Sequence, residues 1–301
     1  MKNRKKAGTI VLISFLSVAP LVYAAEELTI KEALAIRIPR QFQRSMFAID
    51  PIEAMMTSGK WKAPKPGESV AFSTTETSKW DRTTADANGW FGGPSLSDGY
   101  VYTLVKSEKE RAMILNGLGD TYAFVNGELR MGSKYAIKDA YESWEPHFDY
   151  GQVPVLLKKG ENHFLFRCSR GRLKILLSPP ASQILFNGKD ITVPDLLVGE
   201  RIECWGAIVV MNATNRVEKD LAIVVSGEGL EPTTTEAGII QPFSVRKIGF
   251  LLKGAAPRQP AKIPVALVLR NGAKNEDIPI DTAAFELECK NPLQNHKRTF
   301  R

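Results

Sequence analysis

Histidine and cysteine are scarce in this chain, with three of each among 301 residues. His147, His163 and His296 form no His-x-x-x-His pair, and Cys168, Cys204 and Cys289 lack the close pairing of a zinc site. No metal and no cofactor is therefore expected. Three cysteines also exclude a disulfide-dense scaffold. The pentapeptide Gly-x-Ser-x-Gly, which holds a hydrolase nucleophile on a strained strand-to-helix turn, is absent. Gly92-Gly93-Pro94-Ser95 and Cys168-Ser169-Arg170-Gly171 read as turns without that strand-to-helix context. A Ser-His-Asp set assembled in space stays open, because geometry and not order defines it. No catalytic residue is named on these grounds. Internal repeats and low-complexity segments are missing as well.

What is present begins with a leader. Lys2, Arg4, Lys5 and Lys6 form a basic region, Ala7 to Ala19 is mostly apolar, and Val22-Tyr23-Ala24 offers small residues at a cleavage site. This is the layout of a secretory signal peptide over residues 1–24. Its apolar run is shorter than the ~20 residues that a span needs, so no stable membrane span is expected after cleavage. The expected location is exported, periplasmic or extracellular. Residues 1–24 carry four positive and no negative side chains, so their removal takes the formal charge from +7 to +3. The near-neutral remainder gives no electrostatic footprint for nucleic acid.

Export permits a disulfide. Cys204 and Cys289 fall in the first and last strands of one expected sandwich, so the residues leave two readings: a Cys204–Cys289 pair, or three small buried hydrophobes. Asn212-Ala213-Thr214 matches a glycosylation sequon.

Residues 25–67 read as a short helical arm and connector. Thr29-Ile30-Lys31-Glu32 has a capping-box pattern and predicts a helix through Ala33 to Ile38, stopped by Pro39. Asp50-Pro51-Ile52-Glu53 predicts a second, with Asp as N-cap, Pro at the first position and Gly59 past its end. Trp61-Lys62-Ala63-Pro64-Lys65-Pro66-Gly67 is an extended connector.

Strands dominate from there. Over 68–180, Tyr100 to Val105, Ala112 to Leu115 and Tyr122 to Val125 predict strands, and Asn126-Gly127 predicts a hairpin turn. After Lys158-Lys159-Gly160, Phe164, Phe166 and Cys168 alternate with His163, Leu165 and Arg167; Leu173, Ile175 and Leu177 resume the alternation. Over 181–290, Cys204 to Met211, Leu221 to Ser226, Ser244 to Leu252, Ile263 to Leu269 and Ala283 to Cys289 are strands spaced by turn residues. That is the rhythm of an immunoglobulin- or fibronectin-like sandwich. Residues 291–301 form a polar, basic, linker-like tail. The expected fold class is all-β: a jelly roll followed by a second sandwich.

The candidate binding residues are Tyr135, Tyr141, Trp144, His147 and Tyr150, aromatics interleaved with acids between two strands. Aromatic faces with a few polar groups suit a sugar ring or a peptide. The same aromatics equally suit docking on a neighbouring domain. Trp80 and Trp90 read as lids on the core.

The stretch from Ala112 to Gly127 with Val153-Pro154-Val155-Leu156-Leu157-Lys158-Lys159-Gly160-Glu161-Asn162 resembles the galactose-binding-like jelly roll of glycoside hydrolase sugar-binding domains. Trp61 to Lys65, Asp86 to Phe91, Gly99 to Tyr102 and Asn291 to Gln294 are similar to the N-terminal region of large exported bacterial hydrolases. In those, two β-sandwiches precede a prolyl-oligopeptidase- or esterase-like α/β-hydrolase domain. The resemblance implies a non-catalytic accessory region working with a hydrolase domain in cis or in trans, and a fragment of a longer serine hydrolase. No catalytic motif of that family has a counterpart here. The alternative is a free-standing carbohydrate-binding module.

Overall fold

The computed structural model describes residues 27–39, 49–132, 151–272 and 279–292. The first half contributes β1 (Leu28–Thr29), β2 (Glu32–Arg37), α1 (Pro51–Thr57), β3 (Ser69–Ala71), β4 (Thr77–Lys79), β5 (Asp81–Thr84), β6 (Trp90–Gly92) and α2 (Pro94–Ser97). There follow β7 (Gly99–Ser107), β8 (Arg111–Leu118), β9 (Asp120–Val125), β10 (Glu128–Met131), β11 (Gln152–Leu157), β12 (Gly160–Cys168) and β13 (Arg172–Ser178). The second half contributes β14 (Ile184–Thr192), β15 (Leu196–Leu197), β16 (Arg201–Asn212), β17 (Leu221–Gly227), β18 (Thr233–Glu236), β19 (Ser244–Ala255), β20 (Ala261–Asn271) and β21 (Asp281–Lys290).

Each half is a sandwich. In the first, a sheet ordered β1-β13-β8-β11, with β6 also on β13, faces a six-stranded sheet ordered β10-β9-β12-β7-β2-β5. Alternation explains the layer between them. Val101 and Val105 of β7, Phe164, Phe166 and Cys168 of β12, and Leu173, Ile175 and Leu177 of β13 all point into one buried cluster. In the second sandwich, β14-β16-β19 packs on β15-β21-β20-β17-β18 around Ile208, Val210, Phe250, Leu267 and Leu287. Leu287 and Cys289 of β21 are buried while Glu286 and Glu288 face water, as their alternation predicts.

The first predicted helix is corrected. Residues 28–37 form strands β1 and β2, and β2 lies between β5 and β7 inside the six-stranded sheet. Backbone pairing on two sides outweighs a local capping pattern worth about 1 kcal/mol. The second predicted helix stands as α1, with Asp50 as its cap.

The outer face of the six-stranded sheet is covered too. Tyr100, Tyr102, Phe124 and Leu165 project from it against Ile52 and Met56 of α1, Phe72, and Trp80. A further cluster joins the two halves: Ile114 of β8 packs with Leu185, Val209, Met211 and Ala213 of the second sandwich.

Candidate functional site

The candidate residues Tyr135, Tyr141, Trp144, His147 and Tyr150 lie outside the described residues, as do the acids Asp139, Glu142, Glu145 and Asp149. A candidate site among the described residues lies elsewhere. It is a cleft of about 450 Å³ on the outer face of the six-stranded sheet, beside α1.

Two turns marked by the sequence build its rim. Asn126 (φ 52°) and Gly127 (φ 89°) both adopt the left-handed conformation of a two-residue type I′ hairpin, with Val125 opposite Glu128. The second turn, at Lys158 to Gly160, carries the chain from β11 in one sheet to β12 in the other. Side-chain amides then join the two turns. Asn162 is fully buried; its Oδ1 accepts from Lys158 N at 2.8 Å and from Asn126 Nδ2 at 2.9 Å. Its Nδ2 donates to Lys158 O at 2.9 Å. Asn126 Oδ1 accepts from His163 N at 2.9 Å, and Asn126 N donates to His163 O at 2.8 Å. The result fixes Lys158, Glu161 and His163 along one edge of the cleft.

The wall and floor are aromatic. Asp50 caps α1 through Oδ1, accepting from Ile52 N at 2.9 Å and Glu53 N at 3.3 Å, while its Oδ2 accepts the Tyr100 hydroxyl at 2.9 Å. The cap thereby pins the helix to the sheet. The chain leaving α1 brings Trp61 edge-on to Trp80, at 6.3 Å and 69°, and within 6.2 Å of Tyr102. Tyr102 and Phe124 form the floor, and Met56 closes one side.

His163 is the polar centre. Its Nδ1 lies 2.7 Å from the Tyr102 hydroxyl, and the two rings stack at 6.0 Å and 22°. When Nδ1 accepts the tyrosine proton, the imidazole carries its own proton on Nε2 and presents a donor there. Burial, and next the Glu161 carboxylate, push the Tyr102 hydroxyl above the ordinary tyrosine range, so it stays protonated at neutral pH. The cleft thus offers the half-buried Trp61 ring above a buried Tyr102 floor, a carboxylate from Glu161, an ammonium from Lys158 and an imidazole.

Sequence reasoning assigned every one of these residues to a structural role. Trp61 was the one available signal, an aromatic in a Pro-rich connector, where no strand or helix period demands it.

Trp80 is buried in the cluster beneath α1, as a core lid should be; Trp90 is half-buried and lies outside the core clusters, with the Arg172 guanidinium over its ring at 4.6 Å. All three cysteines are free; Cys204 on β16 and Cys289 on β21 belong to different sheets. Burial pushes the Cys168 thiol well above its ordinary range, which makes it a poor nucleophile. The sequon is closed to modification: Asn212 is fully buried, donating to Arg216 O at 2.7 Å and Gln241 O at 3.0 Å and accepting from the Thr214 hydroxyl at 2.7 Å. One turn reading is corrected, because Gly92-Gly93-Pro94-Ser95 does bridge a strand, β6, and the one-turn helix α2. The described histidine, His163, is engaged with Tyr102 on a different sheet from β6. Among the described residues no group of acids, histidines and cysteines is arranged to hold a metal ion, and no helix is long and apolar enough to cross a membrane.

The sequence matches no protein-family model and no curated protein. Among solved structures, a β-glucuronidase from glycoside hydrolase family 2 aligns with a TM-score of 0.35 at 10% identity, over 90% of this chain and 31% of its own. A glycosyl hydrolase family 2 member from Bacteroides cellulosilyticus gives 0.35 at 11% identity, over 89% and 36%. Red sea bream transglutaminase gives 0.28 at 13% identity, over 65% and 29%. The chain spans about a third of the length of these structures. Likenesses this distant carry no argument about function; the sandwich architecture rests on the sheets described above.

Proposed function

We propose that this chain is an exported, non-catalytic binding module that takes a saccharide ring in the Trp61–Tyr102–His163 cleft. The observation that carries this is the pairing of the Trp61 ring with a rigid polar rim. Pyranose rings offer C–H faces that stack on aromatics, and hydroxyls that need oriented donors and acceptors. Glu161, Lys158 and His163 supply those groups, and the hydrogen bonds of the Asn126 and Asn162 side-chain amides fix their backbone before any ligand arrives. A preformed site loses little entropy on binding.

The module works beside a hydrolase, in cis or in trans. That part of the proposal rests on the sequence resemblance alone. It accords with the scarcity of bases, since a fluorophosphonate probe should label no serine of the purified protein. Specific labelling of one serine would instead make it an enzyme.

Retention on a glycan array tests the binding reading. The wild-type protein is expected to bind a subset of glycans, and His163→Ala and Glu161→Ala each to weaken that binding about tenfold, the ~1.4 kcal/mol range of a charged or well-placed hydrogen bond. Binding unaffected by both substitutions, or no binding at all, would overturn it.

A further inference from the structure

The outer face of β16 is half covered. Arg201, Glu203, Trp205, Ala207, Val209 and Met211 alternate onto it, while Ile202, Ile208 and Val210 turn into the core. Val209 and Met211 are sealed against Ile114 of the first sandwich. Trp205 is not, and 62% of its surface is exposed. Singly exposed apolar residues are ordinary, but the setting of this one is not.

Across the ladder Trp205 pairs with Leu251, and Ala207 with Gly249. A Cβ placed on Gly249 would lie 3.3 Å from Trp205 Cε3 and 3.7 Å from Cζ3. The indole therefore lies down over the neighbouring strand at the one position with no side chain to lift it. Its other face is open to solvent. The surroundings are polar: Arg201 pairs with Glu203 at 2.9 Å, and Lys253 with Glu231 at 3.3 Å. Glu203 faces Lys253 across the ladder. Leu251, half-buried, is the apolar neighbour in register.

We infer that Trp205 is a second saccharide platform, for a β-linked, equatorially substituted pyranose chain. Such a ring presents a flat C–H face the size of an indole, with hydroxyls around its edge that reach flanking carboxylate, ammonium and guanidinium groups. A protein partner fits less well, because a stable interface needs about 800 Å² on each side with an apolar centre. Here a single ring stands among charges. The platform does not rest on the cleft reading, since it lies on the other sandwich.

Native electrophoresis of the full chain in gels containing mixed-linkage β-glucan, xylan or xyloglucan tests it. Wild type is expected to be retarded by at least one. Trp205→Ala should weaken that retardation about five- to tenfold, the worth of one aromatic stacking contact. Trp205→Phe should keep most of it, and Gly249→Val, which keeps the tryptophan but tilts it off the sheet, should lose it. His163→Ala should leave the Trp205-dependent part intact, which separates this platform from the cleft. A thermal midpoint near that of wild type shows that Trp205→Ala is folded. Equal retardation of wild type and Trp205→Ala, or no retardation of wild type in any gel, overturns the inference. So does self-association in light scattering that Trp205→Ala abolishes, which would make this face a contact between two copies.

Discussion

At the scale of single residues, Asn162 does the most. It is buried, and its amide satisfies the Lys158 backbone on both sides while gripping Asn126. Asn162→Ala leaves those groups unpaired and should cost about 2–3 kcal/mol in urea denaturation. A loss below 1 kcal/mol would show that water replaces the amide, and that the rim is not preorganised as described. The tyrosines beneath α1 make a second prediction. Tyr100, Tyr102 and Tyr122 are each pushed above the ordinary 10.0, first by burial. In the unfolded chain they lose their protons near that value, whereas in the folded chain they keep them. Stability should therefore be level below about pH 10 and fall as pH rises above it, toward the folded-state values. Tyr100→Phe should flatten that alkaline fall. An unchanged slope would mean that the hydroxyl is solvated.

At the scale of elements, α1 is seven residues long and cannot persist without its sheet. Asp50 both caps it and binds Tyr100. Asp50→Ala should cost about 1–2 kcal/mol and loosen the wall that carries Met56 and Trp61. Ligand retention should then fall while the β-sheet circular dichroism holds. The same element scale shows what the sequence made legible. Strand β21 is plain because one buried face imposes period two, and β12 and β16, buried on both faces over part of their length, are plain from their long apolar and β-branched runs. Asn126-Gly127 was plain because a type I′ turn demands two left-handed residues. The helix expected through Ala33 to Ile38 is not there because Ala33-Leu34-Ala35-Ile36 satisfies either period, and only the pairing of β2 with β5 and β7, distant in sequence, decides it. The edge strand β18, Thr-Thr-Thr-Glu, has no apolar signal to find.

At the scale of the molecule, the two sandwiches share the cluster around Ile114, Leu185, Val209 and Met211. Burying a carboxylate there without a partner is costly, so Val209→Asp should uncouple the halves. Calorimetry is expected to show one thermal transition for the wild type and two for the variant; two in both would mean that the halves fold independently. The cleft itself was hidden from sequence reading at this scale. Its walls come from 61, 102, 124 and 163, positions brought together only when the six-stranded sheet and its covering helix are assembled. Each looks structural in its own strand or connector.

Occupancy of this assembled cleft by a saccharide, as proposed, is open to direct test. The most direct measurement is an NMR titration of isotopically labelled protein with the glycan that it retains, following the Trp61 indole and His163 imidazole resonances. Saturable shifts of both with a single dissociation constant are the expected result. Binding that saturates while both resonances stay unmoved would mean that the saccharide does not occupy this cleft.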